Sequence, residues 1–225
     1  MSPSPAGFER PSEPSSVRLV LTLGLAGLFS GVAIVGVFEG TLARITENKA
    51  RALRAAVFEV VPGSTRMEGL LWSDGGLVRP ARGDTREPAL FAAYGAGEGF
   101  LGYALVGEGP GFQDTIRLIY GYDPARRRIV GMRVLDSRET PGLGDRIYKD
   151  EDFVGAFGDL AVEPEVLLVK KGKRTAANEI DAITGATISS KAVVKIINSA
   201  NSKWLERLPP PGTEPAWGGR EEGGE

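Results

Sequence analysis

The chain has no cysteine and no histidine. The first absence excludes a disulfide, a thiolate-held iron–sulfur cluster, a thiol nucleophile and a CxxCH haem attachment. The second removes the commonest metal ligand, the usual general base and any Ser-His-Asp triad. No metal site and no catalytic residue are therefore expected, and redox chemistry, if there is any, must come from an organic cofactor. An excess of one charge is lacking too: 27 Lys and Arg stand against 29 Asp and Glu, for a net charge of −2. There is no basic stripe and no aromatic–basic interleaving, so no nucleic-acid partner is expected. The 31 glycines and 15 prolines follow no internal period, which excludes a repeat array.

A long apolar run is present. LVLTLGLAGLFSGVAIVGVF carries no charge from Leu19 to Phe38. About 20 apolar residues rising 1.5 Å each span a hydrocarbon core of about 30 Å, so 19–38 reads as a transmembrane helix with membrane lipid as its surroundings. A cleaved signal peptide is the competing reading; the run is longer than a signal core, and no A-x-A site follows it. Gly27 and Gly31 make a GxxxG step suited to a partner helix. Arg10 and Arg18 precede the span, while Arg44, Lys49, Arg51 and Arg54 follow it. Counted by charge alone, this favours a cytoplasmic C-terminal domain.

The remaining chain divides by composition. Residues 1–18, rich in Ser and Pro, read as a disordered lead. Residues 41–61 read as a connecting helix, with Thr41 as its cap and Pro62-Gly63 as its stop. Strands are expected at Gly69–Trp72, Leu90–Tyr94, Phe100–Val106, Thr115–Tyr122 and Ile129–Leu135, the last two pairing as a hairpin across Asp123-Pro124. A short helix at 150–158, a strand at Glu165–Lys170 and a helix at Ser189–Arg207 follow. The segment 208–225 reads as a disordered tail. The fold class is α+β: one N-terminal transmembrane helix, then a domain over 62–207 of mainly antiparallel strands with flanking helices, its core motifs within 100–200.

Two motifs bear on chemistry. Asp181-Ala-Ile-Thr-Gly-Ala-Thr187-Ile-Ser-Ser190 precedes the last helix. A helix N-terminus gathers free backbone N–H groups and the positive end of the helix dipole, so it is a seat for phosphate. Gly185 allows close approach or a positive φ. The plainer alternative is an ordinary Ser or Thr cap. The second motif is Glu139-Thr-Pro-Gly-Leu-Gly144, in which Pro141-Gly142 reads as a type II turn. Such a segment is either a structural loop or one that lies flat against a planar ligand.

Together these motifs resemble the FMN-binding domain family. DxxTGAT at 181–187, ETPGLG at 139–144 and the entry Gly109-Pro-Gly-Phe112 ahead of TIRLIYGYD carry the likeness. With one span ahead of them, over roughly 20–205, the chain is similar to the G subunit of the Rnf electron-transport complex and to the C subunit of the sodium-pumping NADH:quinone reductase. The resemblance implies FMN joined through its phosphate to Thr187 by a flavin transferase that uses FAD and Mg²⁺ and releases AMP. Asp181, Thr184, Gly185 and Ala186 match the motif that the transferase and flavin recognise, and Ser189 and Ser190 continue it. Glu139, Thr140, Pro141, Gly142, Leu143 and Gly144 match the loop near the isoalloxazine. Ile188-Ser189 departs from the Leu-Thr frequent in Rnf members.

The resemblance further implies an electron carrier inside a ferredoxin:NAD-type ion translocase, not a complete enzyme. Its partners would be other membrane subunits and iron–sulfur subunits, and its flavin domain would lie on the periplasmic side of a bacterial inner membrane. That placement opposes the charge count, but long domains can translocate regardless of flanking charge. An FMN-bearing carrier of another respiratory or extracellular electron-transfer system, or a membrane adaptor without flavin, are the alternatives.

Overall fold

The computed structural model describes residues 15–81 and 83–219. Its first element, α1 (Ser16–Val60), is one helix of 45 residues. The transmembrane helix expected at 19–38 and the connecting helix expected at 41–61 are thus a single element. Thr41 does not cap a new helix. Its hydroxyl donates back to the Val37 carbonyl at 2.8 Å, and Gly40 alone is too weak a breaker to interrupt the ladder. The N-terminal part, through Lys49, is a unit of its own. It is long and apolar enough to cross a membrane, and the apolar window is fully exposed. Of the lead segment 1–18, residues 1–14 lie outside the described residues, and Ser16–Arg18 are already helical.

The second unit, from Ala50, is built on an antiparallel sheet. Its strands are β1 (Arg66–Ser73), β2 (Gly76–Val78), β3 (Leu90–Tyr94), β4 (Phe100–Pro110), β5 (Thr115–Asp123), β6 (Arg128–Ser137) and β7 (Leu160–Ala161), in the order β2-β1-β3-β4-β5-β6-β7. Helices α2 (Arg146–Lys149) and α3 (Glu151–Gly155), with a 3-10 turn at Ala156–Asp159, lie between β6 and β7. β8 (Leu167–Val169) and β9 (Glu179–Asp181) form a small parallel pair, and α4 (Thr187–Trp204) follows. The expected α+β class is the observed one.

Alternation along the strands gives the sheet two buried faces. Leu90, Ala92 and Tyr94 of β3 point to one face with Leu105, Leu118, Val193 and Ile197, so α4 covers that side. Phe91 and Ala93 point to the other face with Ala56, Val57, Val60 and Ile119, so the last turns of α1 cover it. Contact there is close. A Cβ at Gly121 would stand 1.9 Å from the Val60 carbonyl oxygen, a separation no side chain tolerates. Ala56 and Val57, ahead of the expected domain start at 62, are part of this core.

The tail also differs from its expectation. Pro215 and Trp217 meet Tyr94 of the sheet while 210–213 are exposed, and of this tail 220–225 fall outside the described residues. The Tyr94 hydroxyl donates to the Pro215 carbonyl at 2.9 Å, and the Trp217 and Tyr94 rings meet edge to face at 5.3 Å. Arg79 donates to the Ala216 carbonyl and to Glu68. Composition suggested disorder, but one tryptophan supplies the apolar area that anchors the segment.

Candidate functional site

The loop after β6 and the start of α4 meet at Glu139. This carboxylate is 5% exposed. One oxygen accepts the Phe112 and Gln113 amides at 2.8 and 2.9 Å, and the other accepts the Ser189 hydroxyl at 2.5 Å. Three segments distant in sequence are thereby tied together. Glycine makes the room: a Cβ at Gly111 or Gly144 would stand 2.4 or 2.6 Å from the Glu139 carboxylate. Burial pushes the Glu139 carboxyl up, but the Ser189 hydroxyl and the Gln113 and Phe112 amides outweigh it and hold the group below the usual carboxylate range.

The rest of the loop is organised by its own turn. The Leu143 amide reaches the Thr140 carbonyl at 3.2 Å with Gly142 at φ +79°, as a type II turn requires. Asp145 closes it, accepting the Gly142 amide at 2.8 Å and Lys149 Nζ at 2.5 Å. The Lys149 ammonium holds the Asp145 carboxyl below its ordinary value. Thr140 donates to the Gln113 side chain at 2.7 Å, and Arg146 reaches across to the Thr184 carbonyl at 2.7 Å. Pro141, Gly142 and Leu143 remain exposed.

At the start of α4 the chain turns through Gly185 at φ +84°, a value that favours glycine. Ala186 occupies the N-cap position, and no side chain caps the helix. The ordinary-cap alternative is therefore not what is found. Ser190 is turned inward, its hydroxyl donating to the Ala186 carbonyl at 2.9 Å and accepting the Ile183 amide at 3.2 Å. Thr187 is the first helical residue, two positions before the expected start at Ser189. Its side chain is exposed and makes no hydrogen bond among the described residues. An uncapped helix N-terminus has free amides and a positive potential beside that hydroxyl.

The candidate residues thus sort by geometry. Glu139, Gly144, Ala186, Ser189 and Ser190 are buried and build the frame, while Thr184, Gly185, Thr187, Pro141, Gly142 and Leu143 face outward. Asp181 sits apart at the end of β9, where its carboxylate accepts the Lys173 amide at 3.3 Å. Glu139, read as part of a loop near a flavin ring, is spent on hydrogen bonds inside the protein.

Thr187 and Leu168 line both of two clefts. One, of about 330 Å³, runs past Leu168, Lys170, Lys171 and Gly185. The other, of about 590 Å³, lies between β8 and α4, past Leu167, Lys191, Lys195 and Asn198. Asn198 sets that spacing by bonding both the amide and the carbonyl of Val166, at 3.0 and 2.8 Å. Arg146, Asn198 and these lysines lie outside the two motifs. The Lys170-Lys171-Gly-Lys173-Arg174 run and the i, i+4 pair Lys191/Lys195 were the available signals.

A family model described as the FMN-binding domain matches residues 111–202. The chain is 29% identical over 185 residues to the G subunit of the ion-translocating oxidoreductase complex of Methanosarcina acetivorans, covering 81% of this chain and 91% of that protein. It is 31% identical over 150 residues to the G subunit of the Na(+)-translocating ferredoxin:NAD(+) oxidoreductase complex of Acetobacterium woodii, covering 64% of this chain and 66% of that one. Among solved structures, the C subunit of the Na(+)-translocating NADH-quinone reductase from Parabacteroides distasonis shares the fold. The TM-score is 0.52 at 24% identity, over 64% of this chain and 77% of that chain.

Proposed function

We propose, from the premise that residues 111–202 belong to the FMN-binding domain family, that this chain is the membrane-anchored flavoprotein subunit of an ion-translocating electron-transport complex, with FMN held by a phosphoester on Thr187. One observation carries the assignment to Thr187: its hydroxyl stands free and exposed at the uncapped start of an 18-residue helix, between two clefts. The residues fit a phosphate-bearing group. Open helix amides suit the phosphate, and Leu143 and Ile188, 53% and 61% exposed, offer apolar surface in the two segments that Glu139 ties together. FMN, when bound, supplies the one-electron redox chemistry that no side chain of this site possesses.

The protein's own residues do the positioning. Gly185 turns the backbone so that Thr187 points outward while Ser190 points in. Glu139 fixes the first turn of α4 against the loop at 139–144, and Arg146 holds the Thr184 carbonyl on the other side. Ester formation consumes the Thr187 O–H. The incoming group is delivered by a flavin transferase from FAD, and AMP leaves. The other membrane subunits and the iron–sulfur subunits of the complex are the partners in this reading, and the flavin domain lies on the periplasmic side. An alkaline phosphatase fusion at the C-terminus tests that side, and an inactive fusion argues for a cytoplasmic domain.

Intact mass tests the cofactor assignment. Co-expression with a flavin transferase should add one FMN less one water to the wild type and nothing to Thr187→Ala. An unmodified wild type under those conditions overturns it.

A further inference from the structure

Five of the eight lysines in the chain fall between positions 170 and 195. Over residues 165–199 the sequence carries six basic residues (Lys170, Lys171, Lys173, Arg174, Lys191, Lys195) against three acidic ones (Glu165, Glu179, Asp181). That is +3 in a chain whose net charge is −2. The fold gathers this charge around one point. Lys170 and Lys171 line the cleft on one side of Thr187, and Lys191 and Lys195 line the cleft on the other.

The three nearby acids are already counted in that excess, and two of them do not line the clefts. Glu179 is turned into its own loop, accepting the Thr175 and Ala176 amides at 2.6 and 3.0 Å. Asp181 accepts the Lys173 amide, leaving Glu165 as the acid on the clefts. All four cleft lysines are exposed, and none makes an ion pair among the described residues. Ion pairs elsewhere are made by arginines such as Arg66, Arg86 and Arg128, and by Lys149. The free N-terminus of α4 adds to the same positive potential.

Like charges gathered without counter-ions repel one another, and an approaching anionic surface relieves that repulsion. At physiological salt the Debye length is about 8 Å, so charges rimming one site act together on a partner. A field of this kind steers encounter and orientation more than it adds affinity. Flexible, strongly hydrated lysine ammonium groups act in such a field as point charges rather than as forks that fix one geometry.

We propose that the lysine-rimmed face around Thr187, formed by Lys170 and Lys171 on the β8 side and Lys191 and Lys195 on α4, is the docking surface for an acidic protein surface, that of the redox partner exchanging electrons with the group held at Thr187. The redox part of this assignment rests on the function proposed above; the docking surface itself does not.

The experiment uses the full chain in membranes that carry the assembled complex. A carbodiimide joins a lysine amine to a carboxylate only where the two touch, and peptide mapping identifies the pair. The expected links run from Lys170, Lys171, Lys191 or Lys195 to Asp or Glu of another subunit. They should fall about fivefold or more in 0.5 M salt, as a screened contact must. Replacing all four lysines by Gln should slow reoxidation of the reduced flavin about tenfold and flatten its salt dependence, while replacement by Arg should preserve both. Lys203→Gln serves as the control.

Links that run only through Lys49, Lys149 or Lys203 would overturn the proposal. So would an unchanged salt dependence in the four-Gln variant. Protection of the four lysines from acetylation by phosphatidylglycerol vesicles, in the absence of the other subunits, would assign the face to lipid and overturn it as well. In-gel flavin fluorescence of the same samples keeps the two readings apart. Links without fluorescence refute the cofactor assignment, and fluorescence without links refutes the docking surface.

Discussion

Glu139 and Ser189 are fifty positions apart in sequence and 2.5 Å apart in space. Their bond joins the loop after β6 to the first turn of the helix that begins at Thr187. A carboxylate that is also bonded to two amides, and is almost wholly out of solvent, cannot be removed without leaving donors unsatisfied.

Glu139→Ala should therefore destabilise the full-length protein by about 3 kcal/mol, the range for losing hydrogen bonds to a buried charge. Ser189→Ala should cost about 1 kcal/mol. The double variant should fall short of additivity by about 1 kcal/mol, because the two residues share one interaction. Denaturant midpoints in detergent measure this cycle, and strict additivity would contradict the bond.

The same carboxylate gives a pH dependence. Its folded-state value lies below its ordinary one, so the native state favours the ionised form. The resulting stability is fully present above the unfolded glutamate value of about 4.3 and is lost as pH falls below that toward the folded value. Thermal midpoints of the wild type should drop between pH 5 and about pH 3, and Glu139→Gln should drop less over the same window.

Gly185 should tolerate little. Ala at φ +84° costs about 1 kcal/mol in the backbone. The larger consequence is at Thr187, whose presentation depends on that turn. Flavinylation of Gly185→Ala should lag the wild type when a transferase is limiting, as followed by in-gel fluorescence over time. An unchanged time course would show that the turn does not present the hydroxyl.

Asn198 holds β8 to α4 through both backbone groups of Val166. Asn198→Ala removes two hydrogen bonds, worth about 2 kcal/mol together. Amide exchange at Val166 and along Leu167–Val169 should accelerate well beyond that at Tyr120 in the central sheet, because only the small β8–β9 pair is released.

Trp217 anchors the final described segment on Tyr94. Trp217→Ala should cost about 2 kcal/mol, less than a wholly buried tryptophan because this one keeps part of its surface in solvent. Proteolysis after Arg207 should quicken in the variant and remain slow in the wild type.

Periodicity and turn chemistry made most elements legible. The strand at Leu90–Tyr94 and the hairpin across Asp123-Pro124 were read at their observed places, because β-branched and aromatic runs bounded by turn residues have few other solutions. The single helix from Ser16 to Val60 reads as two in the sequence, since Thr41 after the apolar run resembles a cap locally and only the continuous ladder shows otherwise. Short strands such as Gly76–Val78 and Leu160–Ala161 carry too little pattern to be read and exist through their neighbours. At the site, the motif around Thr187 was legible as residues, whereas the burial of Glu139 and the approach of Arg146 to Thr184 were not.

What the sequence alone determined is the chemistry available: an apolar run long enough for a membrane, no thiol or imidazole, and a Thr-Gly-Ala-Thr turn leading into a helix. Tertiary structure decided which hydroxyls are spent and which are free. Ser189 and Ser190 face inward to hydrogen-bond partners, and Thr187 faces out between two lysine-lined clefts. Adjacent hydroxyls look alike in one dimension. Helical rotation of about 100° per residue, and the packing of one helix face against the sheet, separate them.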